Sequence, residues 1–498
     1  MKFLTGRFSK APEGTAALFF IQIFATLGFA VLYSTLVLYA TKHLHLGVKE
    51  AAVLMGVFGA FNYGLHLFGG YLGGRFLSNR NLFVGGMALQ VFGCACIATG
   101  TLPLFYIGLA LFLTGSGLNV TCINMMLTQR FTPEDPRREG AFLWNYAGMN
   151  VGFFVGFSAA GHFQATESYS SLFIFATLGN FVAIVLAALT WKTLADRNTP
   201  LLDKTPKQFR LRQVAGIGIL IGLVPVVWFM LQRPDWTETI IKAICGAVAL
   251  TLIYLTVRHR DRREQRNMTA YLILTVGSLM FWSLYQMAPN GLMLFAVNNV
   301  DLVLGPVTIQ PQWIQNINTV CIVIGGPLLA ALFTRMRANG WRIDIPQQFA
   351  ASLLLMALAF LILPLGIKLA GDGKSAFAWL FWSYVLQSIG ELLISPIGYA
   401  MIGKLAPRQY QGVMMGSWML WTGLASLFAG DFSGMIPNPV GTTPAATNAG
   451  YAKLFAELGA VTFAVGIALL VLIPFLRKLI TDKAETPPIE AATVVSVA

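Results

Sequence analysis

Gln387-Ser-Ile-Gly-Glu391-Leu-Leu-Ile-Ser395-Pro396-Ile-Gly398 lies inside an apolar run from about Ala376 to Met401. Helical residues rise about 1.5 Å each, so about 20 of them cross the hydrocarbon core of a bilayer. The run is long enough to span, and it carries an ionisable side chain, Glu391, near its middle. A charge at that depth costs roughly 2.5 kcal/mol or more, so such residues usually face a polar cavity and work there. The bland alternative is a protonated glutamate that only ties two helices together. Pro396 follows five residues later and withdraws a backbone donor, which predicts a bend near the acid.

The rest of the 498-residue chain extends this reading. It is 56% hydrophobic and only 11% charged, with mean hydropathy +0.67. That composition defines an all-α polytopic membrane protein, not a set of soluble domains. An outer-membrane barrel would show segments of about 10 residues with alternating polarity. Here the runs are continuous and about 20 long. Fourteen can be marked: 16–39, 51–73, 82–100, 103–127, 141–162, 170–191, 213–231, 239–257, 269–287, 313–334, 348–369, 376–402, 411–430 and 452–476. The first is too long for a signal-peptide core and lacks a clear small-residue cleavage site.

The net charge of +13 is not that of a nucleic-acid face, because its cations sit in short linkers. Assigned alternately, the linkers place 27 Lys and Arg on the side of the termini and 7 on the other. The rich side includes Lys2, Arg7, Lys10, Arg75, Arg80, the stretches Lys192–Arg212 and Arg258–Arg266, Lys404, Arg408 and Lys483. The positive-inside rule then puts both termini in the cytoplasm of a multi-pass inner (plasma) membrane protein. The five cysteines all fall in apolar runs, without metal-ligand spacing or loop pairs, and read as small core residues. No cofactor or metal is implied.

The spans group as six, two and six. The major facilitator architecture has two such six-helix halves with substrate at the midplane between them. The expected organisation is an N-terminal half (1–192), cytoplasmic linkers with an inserted helix pair (193–268), a C-terminal half (269–480) and a disordered cytoplasmic tail (481–498). That makes twelve core helices plus two. Gly69/Gly73 and Gly152/Gly156 have the spacing of close-packing helix faces.

Few other polar side chains fall at membrane depth. Asn150, Asn318 and His66 are the candidates. Each asparagine alone is as readily interhelical glue as ligand contact, and His66 is more often a hydrogen-bonded core histidine than a proton relay. Tyr63, Tyr146, Phe281, Trp282, Tyr285 and Trp418 suit a mixed polar and apolar pocket, though each alone suits packing. One carboxylate with two amide carbonyls offers three acceptors for the three donors of a ligand ammonium. No Lys or Arg lies deep in a span to take a ligand carboxylate; Arg75, Lys404 and Arg408 sit at span ends, where they latch or snorkel.

These residues carry a resemblance. Gln387-Ser-Ile-Gly-Glu391-Leu-Leu-Ile-Ser395, followed by Gly416-Ser-Trp418-Met-Leu, resembles core helices ten and eleven of the proton-dependent oligopeptide transporters, above all the bacterial di- and tripeptide permeases. Gly140-Ala-Phe with Tyr146, Asn150 and Gly152 resembles the fifth-helix signature; Phe295-Ala-Val-Asn-Asn-Val300 and Ile324-Gly-Gly-Pro327 also match. The resemblance spans nearly the whole chain, and the inserted pair is a feature of the bacterial branch. It implies that Asn150, Asn318 and Glu391 hold a peptide's amino terminus, with Tyr63, Tyr146 and Trp418 at or near pocket positions. Phe281, Trp282 and Ser395 are further candidate substrate contacts, read from the residues themselves.

The departures lie in the N-terminal half. Typical members carry Glu-x-x-Glu-Arg-Phe on the first helix; here the stretch reads Gln22-Ile-Phe-Ala25-Thr26-Leu27. The fourth-helix lysine falls at Val120, and the acid after Gly-Gly-x-Leu-Gly is Gly74. In the family those acids, with the lysine, serve proton coupling, and the arginine and lysine help bind the substrate carboxylate. Losing acids and bases together is self-consistent, since either left alone in the bilayer would cost several kcal/mol. The pocket keeps an anionic end and has no cationic one, so a zwitterionic peptide would bury its carboxylate unpaired. The expected substrate is a peptide or peptide-like amine whose far end is neutral or differently held, such as a modified peptide or a siderophore-like product.

Coupling is open between Glu391 itself, His66 and no proton coupling at all. A non-transporting sensor is the alternative of another class, and a membrane enzyme lacks any catalytic cluster in the sequence. The expected partners are a small-molecule or peptide substrate, the bilayer and candidate protons, with no nucleic acid; a monomer is expected.

Overall fold

The computed structural model describes residues 13–132, 135, 137–166, 168–407, 409–435 and 443–480. The expected disordered tail, Lys2, Arg7, Lys10, Arg408 and Lys483 lie outside the described residues. The first six helices are α1 (Thr15–Leu38), α2 (Val48–Leu72), α3 (Asn79–Ile97), α4 (Leu102–Thr128), α5 (Arg137–Ala165) and α6 (Tyr169–Leu189). The inserted pair is α7 (Pro206–Leu231) and α8 (Pro234–Val257). Then come α9 (Arg262–Tyr285), a short α10 (Gly291–Asn299), α11 (Gln315–Ala338), α12 (Ile345–Ala370), α13 (Phe377–Leu405), α14 (Gln411–Gly434) and α15 (Pro444–Leu479).

Thirteen helices are long and apolar enough to cross a membrane among the described residues. Helix α5, at the place of the fifth expected span, is 29 residues long but is not among the thirteen. Trp144, Asn145, Tyr146 and Asn150 dilute its apolar character. Two small pairings were not expected from the sequence. Val300–Asp301 (β1) pairs in parallel with Ser375–Ala376 (β4), and Val303–Leu304 (β2) pairs antiparallel with Val307–Thr308 (β3). Pro396 sits inside an unbroken α13.

Helix α1 packs on α5 and α6, α3 on α4 and α6, α12 on α13 and α15, and α11 on α13. The first six helices meet the last ones chiefly through α2 against α14 and α5 against α11. Small residues allow these approaches: a Cβ on Gly156 would lie 2.9 Å from the Leu27 carbonyl oxygen of α1. Gly74 adopts φ +71°, and its carbonyl accepts from Leu201 N at 2.9 Å. The glycine at this position therefore shapes the loop after α2 and ties it to the linker before α7.

The apolar core divides in a telling way. One cluster joins the outer parts of α1, α2 and α6 with the C-terminal helices, including Phe58, Phe173, Phe281, Phe360 and Trp418. A second holds Leu18, Leu72, Phe83 and Leu127 from the first helices and Leu194 from the linker after α6, all near the side of the termini. Hydrogen bonds between the two sets of helices gather on the face away from the termini. Asn290 Nδ2 donates to Ala52 O (2.9 Å), Trp313 Nε1 to Ser158 O (3.0 Å), Asn316 Nδ2 to Ser158 Oγ (3.0 Å) and Gln312 Nε2 to Gln164 Oε1 (3.1 Å). Among the described residues, the two sets of helices are thus bonded together on that face.

On the side of the termini, the loop residue Asp196 accepts from Asn79 N (2.9 Å) and Asn79 Nδ2 (3.1 Å). Burial pushes its carboxyl up, and the Asn79 bonds with the Arg80 and Arg130 charges pull against that.

Candidate functional site

Helix α13 places Tyr384, Ser388 and Glu391 on one face by their spacing of four and three residues. Helix α11 packs on that face and supplies Asn318. Asn318 Nδ2 donates to Glu391 Oε2 at 2.7 Å and to Ser388 Oγ at 3.1 Å. Ser388 gives its own proton to Tyr384 O (2.7 Å), so its lone pairs face the asparagine. The Tyr285 hydroxyl of α9 lies within hydrogen-bonding reach of the same carboxylate. Glu391 is thus held by one neutral amide donor, with Tyr285 close beside it, and keeps acceptor capacity on a carboxylate that has four lone-pair sites.

The opposite side of the site comes from the first helices. Tyr146 of α5 and Tyr33 of α1 lie within electrostatic reach of Glu391. Tyr146 is 44% exposed, so its ring is accessible on the side toward Glu391. Gln286, at the end of α9, bridges them: Tyr33 Oη donates to its Oε1 and its Nε2 donates to Tyr63 Oη, both at 2.9 Å.

The remaining expected residues spread out. Asn150 does not join Asn318 and Glu391; its Nδ2 donates to Tyr146 O one turn back, at 2.9 Å. It therefore positions Tyr146 and does not itself complete a three-acceptor clamp in this state. Phe281 is fully buried, stacked on Tyr285 with centroids 6.0 Å apart. Trp282 sits edge-on to Tyr285 at 5.3 Å, and its Nε1 is buried without a partner among the described residues. Trp418 is 3% exposed and packs on Gly398 and Phe349, so it backs the site and does not line it. Ser395 lies one turn beyond Glu391, partly exposed. His66 meets the Tyr63 ring edge at 5.9 Å; its Nε2 is buried with no partner, carboxylate included, among the described residues.

At the positions where charges were expected from the resemblance, the structure holds a neutral cluster. Gln22 Nε2 donates to Thr26 Oγ1 (2.9 Å), and Asn145 Nδ2 donates to Gln22 Oε1 (3.3 Å), all three buried between α1 and α5. Val120 of α4 is 37% exposed. No group of His, Cys, Asp and Glu suited to a metal occurs among the described residues.

Three contributors escaped the sequence reading. Tyr33, Ser388 and Gln286 carry no charge and look like ordinary helix residues; only the density of hydroxyls and amides around Phe281-Trp-Ser-Leu-Tyr285-Gln286 hinted at them. Outside the site, Lys242 of α8 lies 2.9 Å from Asp431 Oδ2 of α14 and also pairs with Glu238. These charges lie near span ends and read as linker residues in the sequence.

A family model described as POT family (PTR2) matches residues 80–448. Dipeptide and tripeptide permease A of Salmonella typhimurium is 30% identical over 480 residues, covering 95% of this chain and 94% of that protein. The permease of the same name from Escherichia coli is 29% identical over 490 residues, covering 97% and 96%. Among solved structures, a mutant of the peptide transporter POT in complex with alafosfalin superposes with TM-score 0.83 at 24% identity, covering 94% of this chain and 96% of that one. A POT family transporter in complex with 5-aminolevulinic acid gives TM-score 0.82 at 22% identity, covering 93% and 97%. The chain belongs to the POT family and has its major-facilitator-like helical fold. It is a multi-pass membrane protein.

Proposed function

We propose that the chain is a secondary transporter of peptides or peptide-like amines across the inner membrane, working by alternating access. The observation that carries this is the Asn318–Glu391 pair at 2.7 Å, with the ring of Tyr146 accessible on the side toward it. A carboxylate held by neutral donors at mid-membrane is a receptor for an ammonium. Residues 1–192 and 269–480 are the two rocking halves, with 193–268 inserted between them. With the termini cytoplasmic, the hydrogen bonds described above join the halves at the outer face, so the cavity opens inward. Relatives named as dipeptide and tripeptide permeases, and POT structures in complex with alafosfalin and with 5-aminolevulinic acid, support the same reading.

The neutral Gln22–Thr26–Asn145 cluster and Val120 leave the far end of the substrate without a cation. Substrates with an amine at one end and no carboxylate at the other therefore fit best. The same neutrality favours a second reading, uncoupled facilitation in place of proton symport. Paired uptake of Ala-Ala and Ala-Ala-amide into proteoliposomes tests the substrate reading: the amide should be preferred, and Ala-Ala transport at equal or greater rate overturns it. Uphill movement under an imposed proton gradient would overturn uncoupled facilitation.

A further inference from the structure

Helix α5 is fastened near its Ala165 end to α11 and to the short turn before it, Pro311–Ile314. Trp313 Nε1 donates to Ser158 O and Asn316 Nδ2 to Ser158 Oγ, both at 3.0 Å, and Gln312 Nε2 reaches Gln164 Oε1 at 3.1 Å. Gly161 makes room for this fastening, since a Cβ there would lie 2.2 Å from Trp313 Nε1. The Ser158–Asn316 bond marks which face each helix turns to the other. Positions four and seven residues along a helix share a face with the starting residue. From Ser158 toward Arg137 that face carries Phe154 and Val151; from Asn316 toward Ala338 it carries Val320 and Val323. Helices in contact along these faces would bury all four side chains on one another. They are 46%, 44%, 43% and 55% exposed, in that order. Helices α5 and α11 therefore part beyond the Ser158–Asn316 bond, and both sides of the split are apolar.

The split begins beside the carboxylate of the candidate site. Asn318, two residues on from Asn316, bonds Glu391 at 2.7 Å, and Tyr146 of α5 lies within electrostatic reach of the same acid. Val323 is five residues beyond Asn318, about 7.5 Å along the helix. A ligand with its ammonium on Glu391 reaches the apolar sides within a few carbon atoms. Its far end finds no cation at Gln22, Thr26 or Val120, so burial there suits an apolar group and penalises a carboxylate. A bilayer acyl chain would suit the same apolar sides but makes no use of the acid beside them.

We propose that the split between α5 and α11 seats an apolar chain of the substrate, which makes the substrate an amphiphilic amine: ammonium on Glu391, neutral tail between Val151 and Phe154 on one side and Val320 and Val323 on the other. This rests on Glu391 as the ammonium receptor and names the class of molecule that the receptor takes.

The test measures binding of alanine methylamide and alanine octylamide to the full chain in nanodiscs. Burying one methylene is worth about fourfold in affinity. V323W, which fills the split, should therefore lower the octylamide-to-methylamide affinity ratio on the order of tenfold by excluding two methylenes. E391Q should weaken both amides by the same factor. Equal weakening by E391Q with an unchanged ratio in V323W keeps the receptor and overturns the tail site, whereas no weakening by E391Q overturns both. Should V323W not fold, a diazirine at the end of the octyl chain decides on the wild type. Cross-links at residues 151–154 and 320–323 that excess alanine methylamide displaces support the site. Cross-links elsewhere, or labelling that methylamide does not displace, as for a chain dissolved in the bilayer, overturn it.

Discussion

Replacing Glu391 with Gln removes one charge and almost no volume. In the folded protein Asn318 Nδ2 can still donate, at the present 2.7 Å, to the remaining carbonyl oxygen. Tyr285 can turn its hydroxyl to accept from the new amide. The helix contacts therefore survive, and the melting temperature should hold. The ligand suffers instead. Its ammonium loses its anionic partner and meets an NH2 group that offers donors where acceptors stood. Removing one partner of a desolvated charge pair costs about 3 kcal/mol, within a range of roughly 2–5 kcal/mol. That weakens an amine ligand by roughly 100-fold. Calorimetric titration of Ala-Ala-amide and its N-acetylated analogue into wild type and E391Q isolates the effect. The acetylated analogue has no ammonium, so its affinity should not change between the two proteins. A loss under about threefold for the free amine, or equal losses for both ligands, would refute the assignment of Glu391 as the ammonium receptor.

Other substitutions probe the remaining parts. Gln286→Ala breaks both 2.9 Å bonds between the two sets of helices; at about 1 kcal/mol each, the outward-open population should rise roughly 30-fold, read by spin-label distances, and no shift would show that the bridge does not gate. Val120→Lys should let zwitterionic Ala-Ala compete with its amide in uptake, if the neutral end of the cavity sets selectivity. Gly156→Ala should destabilise the fold by about 1–3 kcal/mol, read as a lower Tm, since its Cβ would meet Ala30 Cβ at 2.5 Å and Leu27 O at 2.9 Å, while Gly218→Ala, with open space around it, should not. Asp196 has its carboxyl pushed up by burial, so its folded value lies above its unfolded one. Its charged form then opposes folding at neutral pH, and that cost is relieved as pH falls through its range; melting curves of Asp196→Asn against pH should lack this acid-side gain.

The architecture was legible because bilayer physics is strict: runs about 20 residues long, separated by cationic linkers, leave little freedom for alternatives. Helix α5 was marked at 141–162 and is a helix over Arg137–Ala165, but its hydropathy is the weakest guide of the set. Its Asn145, Tyr146 and Asn150 face neighbours and cavity, and the same residues that build the site erase the hydropathy signal. Within the site, Glu391 stood out as a charge, and Asn318 as an amide in an apolar run. Sequence could not tell which amide reaches the acid, because that depends on which helices pack against one another. Asn318 shares the C-terminal set with Glu391 and keeps contact at 2.7 Å, whereas Asn150 lies across the cavity and bonds within its own helix.

This asymmetry bears on how the site works. If Asn150 met the carboxylate only when the halves close around a ligand, the ammonium would be what joins them. On the proposed reading Glu391 and Asn318 would form one jaw and Tyr146 the other, with Asn150 bonded to the α5 backbone at Tyr146. An amine between the jaws replaces contacts that the open state lacks, and so favours closure by its differential affinity for the two states. Charged partners on α1 and α4 would add a second, ion-driven term to that closure. Here Gln22, Thr26 and Asn145 satisfy one another at 2.9 and 3.3 Å in a neutral cluster. On the uncoupled reading proposed above, substrate binding energy alone would drive closure, and the direction of transport would follow the substrate gradient.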